Sequence, residues 1–277
     1  MSISVLILTL NEENILPACL ASVAWSDDVV VLDSFSADRT VEIAKAAGAR
    51  VYQRTYDNEH TQHTYGLKEI PFKYPWVYIP DADEITPPDL RDEMLAAVAD
   101  PDRPEAGFRV RFKVIFMGQW LKHSSLYPTW VMRLVRPEKA HFEREINSVC
   151  VVDGPVGRLQ AHFTHYSFNK GLNAWYEKHN RYSWHEARES LMSLERGSFR
   201  MSDLFSREAP RRRRAMKELS FRLPCRPTLR FLYMYFVRRG FMDGWAGYVY
   251  CRLLVAYEYM IVIKIAEIRR RRRGLPV

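Results

Sequence analysis

Short apolar runs alternate with stretches of helical periodicity through residues 1–100, and no other feature limits the possible folds as strongly. Residues 3–10 and 28–33 are rich in Ile, Val and Leu, and a helix-like stretch over residues 15–24 separates them. A strand, a helix and a second strand at this spacing predict two parallel strands joined by a crossover helix. Residues 29–32 are all apolar, which is typical of a strand buried on both faces of its sheet.

The following segments extend this pattern and then change it. We predict helices over 37–47, 60–69 and 88–99, strands over 49–53 and 76–80, antiparallel β segments over 107–112, 130–135 and 150–152, and mainly helix from residue 170 onward. Strands that alternate with helices form a doubly wound parallel sheet. The predicted fold class is therefore α/β, with antiparallel strands added to the sheet and a helical C-terminal part.

The cysteines and the opening residues indicate where such a chain would work. Four cysteines lie far apart with no C-x-x-C pair, so we expect reduced thiols in a cytosolic protein rather than a zinc knuckle or a disulfide framework. The opening residues lack the basic stretch of a signal peptide and run directly into Asn11-Glu12-Glu13. They are therefore predicted to form a strand.

Positive charge is concentrated towards the C-terminal end. Residues 200–277 hold 19 of the 41 Lys and Arg residues but only 6 of the 33 Asp and Glu residues. Arginines interrupt the aromatic and apolar residues of 229–268 at intervals far shorter than the ~20 residues that a bilayer-spanning helix needs. We therefore predict helices that lie on an anionic membrane surface. The alternative is packing on the rest of the chain or on a second subunit, and no nucleic-acid motif accompanies the charge.

Acidic and amide side chains follow several of the predicted strands. The first strand is followed by Thr9, Asn11 and Glu12, the second by Asp33, and the strand over 76–80 by Asp81, Asp83 and Glu84. Ligands of parallel sheets bind beyond the carboxyl ends of the strands, so these side chains are candidates for one shared site. Their negative charges would repel one another unless a cation or a donor-rich ligand lay among them.

The Asp81-Ala82-Asp83 segment is the strongest of these signals. In an extended segment residues i and i+2 project to the same side, so both carboxylates can face one site. Carboxylate oxygens suit Mg²⁺ or Mn²⁺, which keep coordination positions open for substrate phosphates. The alternative is an acidic turn that caps the helix over 88–99. The sequence contains neither a G-x-G-x-x-G loop nor a Walker lysine, so a glycine loop does not cradle phosphates.

Three segments within residues 1–100 occur in a recognisable order. They are Thr9-Leu10-Asn11-Glu12-Glu13, the D-S-x-S-x-D-x-T segment over 33–40, and the W-x-x-x-x-D-A-D-E segment over 76–84. Together they resemble the inverting nucleotide-sugar glycosyltransferases of glycosyltransferase family 2, which have the GT-A fold. Later segments, including Gly118-Gln119-Trp120, Arg133-Leu134 and Asp153-Gly154-Pro155, are similar to the branch that builds lipopolysaccharide core, capsule and exopolysaccharide.

The resemblance implies a role for each matching residue. Thr9, Asn11, Glu12 and Asp33 would line the base and ribose of the nucleotide, Asp81 would approach the ribose or the metal, Asp83 would hold Mg²⁺ or Mn²⁺ on the donor diphosphate, and His165 would return to the metal. Asp83 would thereby serve catalysis, because the metal neutralises charge on the leaving nucleoside diphosphate. The alternative for His165 is a hydrogen-bonded structural residue.

Inversion also requires a carboxylate that accepts the proton of the attacking hydroxyl. Ser148 stands where many relatives place this carboxylate, so our candidate is Glu145, with Glu143 and Asp153 as alternatives. Arg133 lies in the region expected to form an acceptor loop, where it would contact phosphate oxygens or remain a solvated charge.

The resemblance also implies an organisation and a function. Residues 1–168 are expected to form the GT-A catalytic domain, with a nucleotide-sugar half over 1–100 and an acceptor-side half over 101–168, and residues 169–277 a membrane-associating helical tail. The expected reaction transfers a sugar from a UDP-sugar to a hydroxyl of a cell-envelope glycan or lipid-linked acceptor at the inner face of the cytoplasmic membrane. The alternatives are a polyprenyl-phosphate glycosyltransferase and a non-catalytic sugar-nucleotide-binding scaffold, and a homo-oligomer is compatible with each.

Overall fold

The computed structural model describes residues 2–143, 148–196, 200–220 and 225–277. The chain divides into two compact units. The sheet unit comprises Met1–Ile115 and Tyr127–Asn169, and the helical unit comprises Phe116–Leu126 and Lys170–Val277. The segment Phe116–Leu126, which the sequence analysis assigned to the acceptor-side half, therefore groups with the C-terminal helices.

The strands and helices have the following bounds. The strands are β1 (Ser4–Thr9), β2 (Val29–Asp33), β3 (Arg50–Gln53), β4 (Val77–Tyr78), β5 (Glu84–Ile85), β6 (Gly107–Phe116), β7 (Gln119–Trp120), β8 (Trp130–Val135), β9 (Ala140–Glu143), β10 (Val149–Val152) and β11 (Val156–His165). The helices are α1 (Leu16–Val23), α2 (Thr40–Ala46), α3 (Glu59–Lys68), α4 (Pro88–Val98), α5 (Gly171–Arg196), α6 (Ala209–Ser220), α7 (Arg226–Leu232) and α8 (Gly244–Arg272).

The central sheet is mixed, with the order β3-β2-β1-β4-β8-β6-β11-β5. Strands β3, β2, β1 and β4 run parallel, as the sequence predicts, and β8 joins antiparallel to both β4 and β6. Strand β11 pairs parallel with β6, and β5 pairs antiparallel with β11 at the edge. The carboxyl ends of β1, β2 and β4 consequently meet at one rim of the sheet.

The core explains why these segments fold as they do. Helix α1 buries Leu16, Cys19, Leu20 and Val23, which share one face at helical spacing, against Ile3, Val5 and Ile7 of the first strand region. The residues of β2 that the sequence predicts to be buried on both faces are buried or nearly so. Burial of each large apolar side chain contributes about 1.5–3 kcal/mol, so this helix-on-sheet layer is a large source of stability.

Two predicted elements are shorter than the sequence predicts, and β6 is longer, since it continues to Phe116 rather than ending at residue 112. The helix predicted over 37–47 begins at Thr40, because Asp38 accepts hydrogen bonds from the backbone N–H groups of Glu13 and Thr40 and so holds its own segment in a loop. The strand predicted over 76–80 is paired as a regular strand only at Val77–Tyr78, because the chain then turns towards Glu84.

Helices α5 and α8 dominate the helical unit. The buried Lys264 of α8 donates to Oδ1 of Asn180 and to the hydroxyl of Ser183 in α5, at 2.6 and 2.7 Å, and these bonds satisfy its ammonium group. None of the helices in the described ranges is both long enough and apolar enough to span a bilayer.

Candidate active site

A tight turn after β4 places the D-A-D-E residues on the rim of the sheet. Asp81 forms a parallel bridge with Leu8 beside β1, and its carbonyl accepts a hydrogen bond from the N–H of Glu84 at 3.0 Å. The carboxylate of Glu84 returns to accept from the N–H of Asp81 at 3.1 Å. Helix α4 begins later, at Pro88, and the side chain of its N-cap residue Pro87 makes no capping bond. The acidic turn therefore does not cap that helix.

Asp83 and His165 meet although they are 82 positions apart in the chain. Strand β11 pairs with β5 so that His165 lies opposite Glu84, and the N–H of Tyr166 donates to the carbonyl of Asp83 at 2.9 Å. This register brings Nε2 of His165 within 3.4 Å of Oδ2 of Asp83, with both side chains about three-quarters buried at 23% and 22% exposure. Burial opposes a charge on His165, but the hydrogen bond to Asp83 and the nearby carboxylates raise its pKa.

Arg133 links the other two acidic residues of the turn. Its Nη2 lies 2.5 Å from Oδ2 of Asp81 and 2.5 Å from Oε1 of Glu84, and its side chain is only 14% exposed. The same guanidinium stacks 5.5 Å from the ring centre of Phe163. Arg133 is therefore not a solvated charge, and contact of its guanidinium with a phosphate stays a prediction. It fixes the shape of the acidic turn.

Asp81 and Glu84 both contact Arg133, but their pKa values shift in opposite directions. Burial alone would raise the pKa of Asp81, but the Arg133 charge outweighs it and lowers the pKa to about 2. Glu84 is 1% exposed, and burial together with the charge of Asp81 raises its pKa despite Arg133. Asp81 thus carries the negative charge that faces the rim.

Two titratable side chains beneath the rim are uncharged at neutral pH. Burial raises the pKa of the Cys19 thiol, which donates to the carbonyl of Asp81 at 3.6 Å. Burial lowers the pKa of His63 to about 4, and its ring stacks on Phe142 at 4.5 Å. Cys19 and His63 therefore add little charge beneath the acidic turn. Charges in the turn interact more strongly beside such weakly polar surroundings than they would in water.

Asp33 and Thr9 form a buried anchor at the ends of β2 and β1. Asp33 is fully buried, and its oxygens accept from the hydroxyl of Thr9 at 3.0 Å, from the amide of Gln53 at 3.2 Å, and from the N–H and hydroxyl of Ser36 at 2.9 and 2.5 Å. These bonds hold the loop after β2 in place. Direct contact of Thr9 or Asp33 with a nucleotide stays a prediction.

Asn11 and Glu12 connect the loops after β1 and β2. Asn11 has a left-handed backbone, with φ of 55°, and its side-chain oxygen accepts from the N–H of Ala37 at 2.8 Å. The carboxylate of Glu12 accepts from Asn169 at 3.2 Å, just beyond β11. Asn11 is exposed and Glu12 half-buried, so both border the rim beside Asp81 and remain candidates for nucleotide contact.

The candidate base is only partly described. Glu145 falls on residues 144–147, outside the described residues. The alternatives Glu143 and Asp153 lie on either side of the His141 ring, each with a carboxylate oxygen 3.8 Å from a ring nitrogen, and both are exposed. Their role as a base stays a prediction.

The metal hypothesis is tested by the donor atoms present. Within the described residues, no three His, Cys, Asp or Glu side chains converge on a common point. Asp83 and His165 do offer an oxygen and a nitrogen close together, while one oxygen of Asp81 is committed to Arg133. Two side-chain ligands fit Mg²⁺ or Mn²⁺, because such ions complete their coordination with substrate phosphates and water.

Comparison with known proteins decides the family. Residues 4–162, more than half of the chain, match the glycosyl transferase family 2 domain. The chain belongs to glycosyl transferase family 2. The matched range of this family 2 enzyme includes the acidic turn and Arg133, and it ends inside β11. The chain is thus a glycosyltransferase with a GT-A fold and a C-terminal helical extension.

Relatives of this family 2 enzyme match over nearly their whole length. An uncharacterized glycosyltransferase of Rickettsia typhi is 26% identical, over 99% of this chain and 89% of the relative. The lipopolysaccharide core biosynthesis glycosyltransferase LpsC of Rhizobium meliloti is 23% identical, over 96% and 92%. Among solved structures, glucosyl-3-phosphoglycerate synthase of Mycobacterium tuberculosis with Mn²⁺, UDP and phosphoglyceric acid covers 50% of this chain and 56% of its own, at 20% identity and a TM-score of 0.37.

The sequence reasoning missed the partners of Arg133 and the burial of Glu84. Arg133 sits within the otherwise apolar strand Trp130–Val135. A charged residue between Met132 and Leu134 needs a partner when the strand is buried. That requirement was a readable signal for an ion pair, although it does not name the partner.

Proposed function

We propose that this family 2 enzyme transfers a sugar from a nucleoside-diphosphate donor, a UDP-sugar, to a hydroxyl of a cell-envelope glycan or lipid-linked acceptor, with inversion. The observation that carries the proposal is the Asp83–His165 pair, 3.4 Å apart at the carboxyl end of the parallel strands. Ligands of such sheets bind at this rim. The lipopolysaccharide core enzyme among the relatives supports an envelope acceptor.

Asp83 and His165 would hold the divalent cation, Mg²⁺ or Mn²⁺, and the bound cation supplies Lewis-acid stabilisation of the leaving diphosphate. Arg133 holds Asp81 and Glu84, and so keeps Asp83 in position between them. A preformed arrangement of this kind stabilises developing charge without reorganisation during the reaction.

The nucleotide would lie beside the loops after β1 and β2. The Asp33 anchor keeps these loops in place, and the Asn11 and Glu12 side chains border the space above them. A carboxylate of residues 143–153, with Glu145 as the candidate, would accept the proton of the acceptor hydroxyl. A polyprenyl-phosphate acceptor would need no such base. Glu143 and Asp153 are exposed, so packing does not position either of them as a base, and the polyprenyl-phosphate reaction is therefore the second candidate.

The first experiment measures hydrolysis and transfer for a panel of nucleotide sugars with Mn²⁺, Mg²⁺ or EDTA. We expect metal-dependent turnover of a UDP-sugar by the wild type and a loss of about 100-fold or more for Asp83→Ala. His165→Asn should weaken Mn²⁺ binding by about tenfold or more in calorimetry. The matched control is Asp92→Ala, which removes an exposed carboxylate that pairs with Arg91 on α4.

Three results would reject the proposal: turnover that EDTA leaves unchanged, an Asp83→Ala variant as active as Asp92→Ala, or no turnover of any nucleotide sugar. Acceptor dependence separates the two reactions. A hydroxyl acceptor requires the Glu145 carboxylate, so Glu145→Gln should abolish transfer to it, whereas transfer to a polyprenyl phosphate should persist in that variant.

A further inference from the structure

Helix α7 and the helical turn that follows it, Tyr233–Val237, expose an apolar face. Leu229, Leu232, Tyr233, Phe236 and Val237 are 42–70% exposed. Their spacing of i, i+3, i+4, i+7 and i+8 places them on one side of a helix. A helix of a water-soluble domain normally turns such a face inward, so this face requires an explanation.

The opposite face of the same segment already packs in the helical unit. Met234 is fully buried, and the rings of Phe231 and Tyr235 stack at 5.1 Å and both contact Tyr248 of α8, at 6.2 and 5.9 Å. The segment is therefore apolar on both sides. On the exposed side, contacts within the unit cover the rings only in part: Phe236 lies 5.2 Å from Tyr235, and Trp245 stacks on Tyr248 at 5.4 Å.

The turn over Gly240–Asp243 and the start of α8 add three more exposed apolar side chains, and hydrogen bonds hold this turn in place. Phe241, Met242 and Trp245 are 49%, 56% and 68% exposed. Asp243, between them, is 3% exposed and accepts hydrogen bonds from the N–H groups of His123 and Ser124, at 2.9 and 2.7 Å. A rigid turn can present apolar side chains without losing much conformational entropy when they become buried.

The charge around this face is positive. Residues 226–252 contain Arg226, Arg230, Arg238, Arg239 and Arg252, and their only acidic residue is Asp243. Arg226 is paired with Glu258 of α8 at 2.7 Å, so the positive charge near the face comes from the other arginines. Because Asp243 is buried, no carboxylate of this stretch faces solvent. A cation near an anionic lipid surface contributes about 1 kcal/mol. Two copies of the chain meeting at this face would instead bring like charges together.

We infer that this face, which we call the aromatic–arginine surface (residues 229–245), docks on an anionic lipid bilayer with its apolar side chains in the headgroup and upper acyl region. The inference rests on the proposed function in one respect only: a lipid-linked or envelope acceptor would be presented there. It sharpens the general expectation of a basic tail, because it assigns the contact to α7 and the following turn rather than to the arginine run over 269–273. That run lies at the far end of α8, about 40 Å along the helix axis.

The test is flotation of the full chain with vesicles of phosphatidylcholine alone or with 30% phosphatidylglycerol. Wild type should bind the anionic vesicles and bind the neutral ones far more weakly. Phe236→Asp combined with Trp245→Asp should reduce partitioning by about tenfold or more per side chain. Arg238→Gln combined with Arg239→Gln should reduce binding to anionic vesicles about fivefold per arginine, with little effect on neutral vesicles.

The matched control is Phe205→Asp, which changes a phenylalanine that is 84% exposed in the Met201–Phe205 turn of the same unit. It should bind vesicles like the wild type. Equal losses for Phe205→Asp and the Phe236/Trp245 pair would overturn the inference, as would wild type that ignores anionic vesicles. A wild-type dimer that the Phe236/Trp245 pair dissociates, without vesicle binding, would assign the face to a second copy instead.

Donor hydrolysis by the same variants keeps the two proposals separable. The Phe236/Trp245 variant should hydrolyse a soluble nucleotide sugar at the wild-type rate while losing vesicle binding. If the wild type hydrolyses no nucleotide sugar, the proposed reaction is rejected. The flotation assay then still tests, independently, whether the aromatic–arginine surface binds anionic vesicles.

Discussion

Replacing Arg133 by methionine is the sharpest test of how the acidic turn is held. Methionine keeps much of the apolar stem but removes the guanidinium that lies 2.5 Å from both Asp81 and Glu84. Asp81 is 42% exposed and its share of the interaction is screened by water, whereas Glu84 is 1% exposed and cannot be rehydrated in place. Burial already raises the pKa of Glu84, so its carboxyl can become neutral when Arg133 is lost; the cost is then that of a buried polar group without its donor, and we expect the free energy of unfolding to fall by roughly 2–3 kcal/mol.

Urea unfolding followed by far-UV circular dichroism measures the loss. Hydrogen exchange of peptides over 76–86 and 130–135 attributes it to the sheet unit, since the chain has two units that need not unfold together. Arg133→Lys should recover roughly half of the loss, because an ammonium restores the charge but not the planar fork. The control Arg136→Met removes a guanidinium stacked 4.6 Å over Trp76 and should cost only about 1 kcal/mol. Equal losses for the Arg133 and Arg136 methionine variants would show that the buried Glu84 carboxyl does not depend on Arg133.

Two further predictions concern stability elsewhere in the sheet unit. Burial opposes ionisation of Asp28, but hydrogen bonds from Ser4 and from the Arg50 guanidinium at 2.7 Å lower its pKa below the unfolded value of about 3.9. The ionised Asp28 therefore stabilises the fold above its unfolded pKa, and this stabilisation is lost as the pH falls through the folded pKa. When the free energy of unfolding is measured against pH, wild type and Asp28→Asn should differ most above about pH 5 and converge in acid. A constant difference from pH 7 to 2 would contradict this. Gly157→Ala would place a methyl group 2.4 Å from the ring of Phe108, which is 3% exposed, and should cost about 1–3 kcal/mol in urea unfolding; a neutral substitution would show that the ring can move.

Strands, helices and motif positions that depend only on residues close together in the chain were predicted correctly from the sequence. The apolar run over 29–32 and the helical spacing over 15–24 led directly to β2 and α1, because a continuous apolar run and a period of 3.6 are both visible within a single segment. The placement of Asp81 and Asp83 after β4 followed for the same reason. The late start of α2 did not, since it depends on bonds from Asp38 across to Glu13.

Local patterns in the chain are enough to predict an α/β fold with acidic side chains after parallel strands, and the motifs indicate the family that the domain match confirms. Local patterns do not predict that Arg133 joins Asp81 to Glu84, that His165 reaches Asp83, or that the apolar face of α7 stays exposed. Each of these depends on which strand or helix packs against which. The pairing of β11 with β5, 80 residues apart, is selected by the energy of the whole fold and leaves no local pattern in the residues that it brings together.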